Sequence, residues 1–322
     1  MPNRNVIDTA ALFKLETTYG TDAVPVGGSD AVLLTDFEID TEIKPVPREL
    51  LRTWYGKDPD LVSYSMIKGR FGVEIAGAGA AGTAPMWGRM LRACGLAEAI
   101  TAASRVDYTP VSAALESATM YAYDSGLQKK CLGLRCNLES FSLLHGQRPK
   151  AMFSFLALDG GDSAVTTPAQ TLTAWKAPIP VNTTNSGLVT LGCTYAAGAL
   201  SGGTTYTSKG LEITGLGNSL EFQELLGGEV IDSDGRDLKG RVSFDLTAAQ
   251  EASFLTTMKA GTTQSLGVLH GTAAGYKVLN HFPAAQILAV KKDRGQAGKR
   301  LITVDFGFKF SSGNDEWRVV AL

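Results

Sequence analysis

Little in this chain of 322 residues is suited to chemistry on a substrate. Its three histidines, His145, His270 and His281, are scattered, whereas a metal site needs ligands at converging spacings and a catalytic base needs a third group to hold it. Its four cysteines, Cys94, Cys131, Cys136 and Cys193, form no Cys-x-x-Cys pair and read as reduced thiols. No serine sits in a Gly-x-Ser-x-Gly elbow. No apolar run reaches the ~18–20 residues of a membrane span, and Met1 to Thr18 lacks the apolar heart of an export signal, so a cytoplasmic site of synthesis is expected. A formal charge of −2 provides no basic excess for tight nucleic-acid binding.

What is present is β structure. Gly is abundant at 36 residues and Ser and Thr are frequent, which suits a turn-rich β chain. Period-two alternation marks Phe71, Val73 and Ile75; Leu132, Leu134 and Cys136; Ala151, Phe153, Phe155 and Ala157; Val242, Phe244 and Leu246; and Ile302 through Phe310. One wet face and one dry face is the pattern of antiparallel sheets. Two stretches read as helices. Pro85 to Glu98 carries a stripe of Met86, Met90, Leu91 and Cys94. Ala248 to Lys259 carries Ala252, Leu255 and Met258, with Thr247 and Gln250 as a capping box and Gly261 as its stop.

These helices expose a repeat. Lys68 to Ile75 precedes the first and Lys239 to Leu246 the second: a Lys-Gly-Arg turn, an alternating strand with an acidic residue at the same place, then a helix, 171 residues apart. Val24-Pro25-Val26 and Ile179-Pro180-Val181 suggest a second match, and the strands around Phe155 and Phe306 a third. Offsets near half the chain predict two copies of one fold, Met1 to Gly161 and Ala174 to Leu322, joined by a linker at 162–173.

Several motifs imitate sites. Gly77-Ala78-Gly79-Ala80-Ala81-Gly82 is a literal Gly-x-Gly-x-x-Gly, followed by Asp107. Yet the strand before it alternates Lys68, Arg70 and Glu74 with apolar residues, where a parallel central strand is apolar on both faces. The second copy has no glycines there, so the run reads as a loop, mobile or at an interface, that binds no dinucleotide. Asp232 to Asp237 looks like part of a calcium loop, but the twelfth position is Ser243, not Glu, and an acidic β-turn is expected. Lys291-Lys292-Asp293-Arg294 and Lys299-Arg300 bracket a Gly-containing turn and read as a solvated hairpin end. No cofactor or metal is expected. His281, in Asn280-His281-Phe282-Pro283, reads as a strand ending in a bend. Lys44 to Leu61 is a long irregular stretch holding Leu50, Leu51, Trp54 and Tyr55, apolar residues poorly explained as free surface, and is expected to contact another subunit or ring.

Taken in order, the pieces resemble the tail tube (major tail) proteins of phages with long non-contractile tails. The resemblance lies in Ala118 to Tyr123, Gly126, Leu132 to Cys136, Leu138 to Leu143 and Lys150 to Ala157, then in Leu211 to Thr214, Lys239 to Leu246, His281 to Ile287 and Asp315-Glu316-Trp317, and it covers most of Leu33 to Leu322. It implies a mainly β chain of two tandem antiparallel β-sandwich or barrel folds, each with one flanking helix. It also implies rings whose inner strands close one barrel, stacked into a tube through which the genome passes, in a virion tail assembled in the host cytoplasm with other tail proteins and no membrane. Rings of this family hold six tube folds, so a duplicated chain implies a trimer with pseudo-sixfold symmetry, with a hexamer as the alternative. Inner strands are expected at Leu34 to Glu42, Ser63 to Ile75, Leu211 to Glu221 and Lys239 to Leu246, with Glu74 and Asp245 facing the lumen or a neighbouring chain. A single-ring tail terminator or tube-tip protein is the alternative reading, and a dinucleotide-binding enzyme the remote one.

Overall fold

The computed structural model describes residues 7–295 and 298–322. Its first half contains β1 (Thr9–Leu15), β2 (Ala31–Val32), β3 (Thr35–Val46), β4 (Leu61–Glu74), α1 (Gly88–Ala93), β5 (Leu96–Thr101), β6 (Arg105–Pro110), β7 (Ala118–Asp124), β8 (Leu127–Leu144) and β9 (Lys150–Ala164). The second contains β10 (Val189–Leu191), β11 (Thr194–Ala196), β12 (Ala199–Ser201), β13 (Thr204–Tyr206), β14 (Ser208–Ile213), β15 (Ser219–Leu225), β16 (Gly228–Asp234), β17 (Lys239–Phe244), α2 (Ala248–Ala260), β18 (Thr263–His270), β19 (Val278–Arg294), β20 (Arg300–Lys309) and β21 (Arg318–Ala321). The chain is mainly β, and every pairing between these strands is antiparallel.

The order of pairing is the same in both halves. It runs β2-β1-β7-β8-β9-β4-β3 in the first and β13-β10-β18-β19-β20-β17-β14 in the second. Registers coincide as well: Phe71 faces Phe153 and Gly69 faces Phe155, as Val242 faces Val304 and Gly240 faces Phe306. Even a bulge recurs, between Ala118 and Met120 against Leu134 and Cys131, and between Gln264 and Leu266 against Ala285 and Phe282. The Pro25 and Pro180 segments, by contrast, are not counterparts, because the first follows β1 and the second precedes β10.

The halves are stitched into one sheet. The end of β8 pairs with β14, Leu143 facing Leu211, and β6 pairs with the carboxy-terminal β21. One core runs through both: Phe141 meets Trp317 edge-on at 5.8 Å, and Phe282 stacks on Phe308 at 3.7 Å. The connecting segment folds back on the first half, where Trp175 Nε1 donates to the Ala31 carbonyl at 3.0 Å. The strand β9 continues to Ala164, into the stretch expected to be linker.

The second helix forms as its sequence predicts, with the reciprocal Thr247–Gln250 cap and a left-handed Gly261. Its buried side chain is Phe254, however, with Leu255 and Met258 half-buried and Ala252 exposed. The first helix is far shorter than Pro85 to Glu98: left-handed Gly95 (φ 84°) ends it, and Leu96 opens a strand. Met90, Leu91 and Cys94 are buried as expected. Two strands also depart from simple alternation. In β8, Gly133 (φ 55°) sits in a bulge, so Cys131 and Leu134 are buried while Leu132 is half-exposed. In β19, the strand does not end at Pro283; the proline occupies the bulge opposite Gln264 and Leu266, where no ladder donor is needed.

Candidate functional site

Eight strands lie side by side in the order β3-β4-β9-β8-β14-β17-β20-β19. One face supplies the core, with Phe71, Phe153, Leu138, Leu211, Val242 and Phe306 fully buried. Strand alternation then sends Glu38, Lys68, Arg70 and Ser154 of the first half, and Glu212, Arg241, Lys291 and Asp305 of the second, to the opposite face.

That face is charged but locally neutral. Arg70 holds Glu38 at 2.7 Å and Lys68 holds Glu42 at 2.7 Å. Asp305 serves two cations, Lys291 at 2.6 Å and Arg241 at 3.7 Å, and Glu212 lies 4.0 Å from Arg241. Lys150 pairs with Asp36. The hydrogen bond from Arg70 holds the Glu38 carboxyl below the usual carboxylate range, and the bond to Glu42 raises the Lys68 ammonium. Each such exposed pair stabilises little by itself. Their collective effect is a flattened field over a long polar surface, with no cationic stripe to retain phosphates.

The Lys-Gly-Arg motif has its cause here. It is not a turn: it lies within β4 and opens β17. Lys and Arg point to the polar face, and the glycine between them points inward beside a phenylalanine. A Cβ on Gly69 would stand 2.6 Å from the Phe155 ring, and one on Gly240 2.8 Å from the Phe308 ring.

Glu74 and Asp245 lie at the margin of the polar face as counterparts. Glu74 is bound by Arg148 at 2.9 Å and Asp245 by Lys299 at 2.5 Å. Among the other expected inner segments, Leu211 to Glu221 is not one strand: β14 stops at Ile213, and β15 begins at Ser219 as part of a separate hairpin with β16. That hairpin was not legible as a site, although alternation at Leu220 and Phe222 and the Gly227-Gly228 pair are hairpin signals. It crosses the sheet so that Phe222 stacks on Tyr64 at 4.5 Å, and its tip exposes Leu225 and Leu226.

Leu50, Leu51, Trp54 and Tyr55 fall in the loop between β3 and β4, which is shorter than Lys44 to Leu61 because both strands extend into it. Leu51 and Tyr55 are fully exposed and Trp54 is 68 % exposed. Arg52 lies over the Trp54 ring at 5.9 Å and pairs with Asp58 at 2.8 Å. These four residues lie at the opposite end of β4 from Glu74, and Asp245 follows β17 in the second half.

The glycine run sits between a strand that is antiparallel to both neighbours and a helix of six residues, which is not the βαβ setting of a dinucleotide site. It is seated against the other half: Gly79 N donates to the Gly275 carbonyl at 2.9 Å. His270 accepts from or donates to Ser186 at 2.9 Å and meets the Ile179 carbonyl at 3.0 Å, and burial lowers its pKa. His281, in β19, stacks on Tyr195 of β11, and burial with nearby Arg318 pushes its pKa down to about 4. All four cysteines are free and buried. Asp232 and Asp234 belong to the end of β16 rather than a turn, and Asp232 pairs with Arg135 at 3.0 Å. No described helix is long and apolar enough to cross a membrane.

Residues 7–310 match the family model described as phage tail tube protein, which covers nearly the whole chain. Among curated proteins, none matches.

Proposed function

The chain belongs to the phage tail tube family, a structural family whose members are virion tail components, and from that premise we propose how it builds a tube. Self-association and contact with other tail proteins follow from the family. The polar face of the eight-strand sheet lines the lumen. Each chain carries two tube folds, and three chains close a ring with pseudo-sixfold symmetry. Rings stack, with Leu50, Leu51, Trp54 and Tyr55 contacting a neighbouring subunit or ring.

The observation that supports this reading is the eight-strand sheet itself, apolar on one face and charge-neutralised on the other. A barrel pairs a polar lumen with an apolar outer layer, and its diameter grows with strand number. Three such chains supply roughly twenty-four strands, a bore wide enough for duplex DNA. Closure also removes the open edges of an antiparallel sheet. A face without a basic stripe lets polyanion pass without being held.

Electron microscopy of the purified protein tests this. Stacked tubes with threefold rings are expected. Six chains per ring would remove the trimer and leave the tube. Isolated rings that never stack would favour a terminator or tip role.

A further inference from the structure

Inside the chain, the boundary between the two repeated pairing patterns is a strand junction of defined register. Gly210, Leu211, Glu212 and Ile213 of β14 face Leu144, Leu143, Ser142 and Phe141 at the end of β8. By the shared registers, the counterpart of β14 is β3. Glu38 faces Arg70 as Glu212 faces Arg241, Ile39 faces Gly69 as Ile213 faces Gly240, and both strands bulge just before, at Asp36 (φ 49°) and Gly210 (φ 108°). The counterpart of the β8 end is the β19 end: Phe141 faces Ala151 as Lys292 faces Ile302, one place along equivalent strands.

These two counterparts are the two ends of the eight-strand order. Among the described residues, β3 pairs with β4 alone, and Lys291 to Arg294 pair with β20 alone. Their charges are complementary. The β3 edge carries Asp36, Glu38, Asp40 and Glu42, and the β19–β20 end carries Lys291, Lys292, Arg294, Lys299 and Arg300 around Asp293. Within the chain Asp36, Glu38 and Glu42 pair with Lys150, Arg70 and Lys68, and Lys291, Lys292 and Lys299 with Asp305, Glu251 and Asp245, so Asp40, Arg294 and Arg300 carry the complementarity. Phe37 is left 37 % exposed where its counterpart Leu211 is fully buried by the internal junction. An exposed acidic edge and an exposed basic edge on one molecule, related as head to tail, call for a second copy of the same chain.

Resting on the tube reading, we propose that β3 of one chain pairs antiparallel with the end of β19 of the next, in the register of the internal junction. Asp36 then faces Gly295, Phe37 faces Arg294, Glu38 faces Asp293 and Ile39 faces Lys292. Continuing the register sets Asp40 against Lys291. The Arg294 guanidinium lies across the Phe37 ring, a favourable cation–aromatic contact. Glu38 against Asp293 is the single like-charge pair, and each already has a partner within its own chain, Arg70 and Thr303. The seam is therefore more polar than the internal Leu211–Leu143 junction. Alternate junctions around the ring differ in strength, and the ring opens first between chains.

The test is a register-specific cross-link. Directly opposed residues bring Cβ atoms to about 4.5–5.5 Å, within reach of a disulfide bridge, and the native cysteines are buried. The F37C/R294C variant, oxidised after assembly, is expected to give covalent dimers and trimers on a non-reducing gel. F37C/K292C, two residues out of register, is expected to give at least tenfold less. In a second arm, D40K is expected to lower assembly at least tenfold and D40K/K291D to restore it. Tubes that form normally while F37C/R294C yields no more cross-link than F37C/K292C overturn the seam and leave the tube reading standing. A wild-type chain that remains monomeric overturns both.

Discussion

The ring of Tyr64, on β4, lies flat on that of Phe222, on β15, with centroids 4.5 Å apart and planes inclined by 19°. Lys44 reinforces the contact, reaching over the Tyr64 ring at 5.2 Å to pair with Glu224 at 2.5 Å. The stack ties a hairpin of the second half, β15–β16, to the β3–β4 hairpin of the first. Tyr64→Ala should cost about 1 kcal/mol, the scale of an aromatic pair beyond its burial. Amide exchange should accelerate across β15 and β16 while the core strands are unaffected. Unchanged exchange in that hairpin would show that the stack does not hold it.

Trp54 offers a contrast, since it is largely exposed and is overlain by the Arg52 guanidinium, itself held by Asp58. Trp54→Ala should leave the thermal midpoint of the unassembled chain nearly unchanged, as surface substitutions do within about 0.5 kcal/mol. Assembly should fall by roughly tenfold or more, as truncating an aromatic anchor at an interface does. Normal tube yield with an unchanged melting temperature would count against a contact role.

Much of this fold was legible because its strands alternate cleanly. Phe71, Val73, Phe153 and Phe155 point inward as their spacing demands, and the Thr247–Gln250 box caps its helix. The likeness of the Lys-Gly-Arg segments at Lys68 and Lys239 has a physical basis, because the same packing, a glycine beside a phenylalanine, recurs there. What failed was hidden in backbone geometry. The apolar stripe from Met86 to Cys94 runs on past Gly95, whose left-handed turn ends the helix, and the alternation at Leu132 runs through Gly133, whose positive φ makes the bulge, so in both places the glycine was outweighed by the pattern around it. The Pro25 and Pro180 match misled because short apolar-proline triplets recur by chance. Of the polar sheet face, Glu74 and Asp245 were visible as counterparts, whereas the neutralising pairs depend on which strands become neighbours.

Gly69 gives a prediction tied to that packing. Its added Cβ would lie 2.3 Å from the Glu38 carbonyl oxygen and 2.6 Å from the Phe155 ring. Gly69→Ala should destabilise by roughly 1–3 kcal/mol through overpacking. Denaturant melts of the variant beside Gly126→Ala check it; Gly126 has open space around it but a left-handed backbone, so its cost should come from backbone strain alone and be smaller. Equal losses would remove the steric account.

Stability should fall in mild acid. The folded pKa of His281 is depressed to about 4 against an ordinary 6.5, so the unfolded chain takes up this proton first. The neutral histidine's contribution is complete above pH 6.5 and is lost as pH falls toward 4, by on the order of 3 kcal/mol. His270, also lowered by burial, acts in the same direction. Urea midpoints measured from pH 7 to pH 4.5 should decline, and His281→Gln should flatten the slope. A midpoint that stays level over that range contradicts the buried neutral ring.

Asp305 carries the argument about the polar face furthest. It is the shared anion of Lys291 and Arg241, at 2.6 Å and 3.7 Å, with Glu212 a weaker partner of Arg241 at 4.0 Å. Asp305→Asn preserves shape and keeps one acceptor oxygen, so folding and assembly should change by less than about 1 kcal/mol, the scale of exposed ion pairs. The charge of the face changes by one unit per chain, repeated around every ring, and two cations lose their counter-charge together. If that face lines the lumen, the tube should begin to retain DNA. Assembled variant tubes should then bind short duplex at low salt and release it as salt rises, the mark of counterion displacement, while wild-type tubes bind little. A control in which Asp58, in the β3–β4 loop, is changed to Asn should not acquire this binding, because that loop is proposed to contact a neighbouring subunit or ring and is not part of the polar sheet face. Equal DNA retention by both variants, or by neither, would argue that the neutralised face does not meet the passing genome.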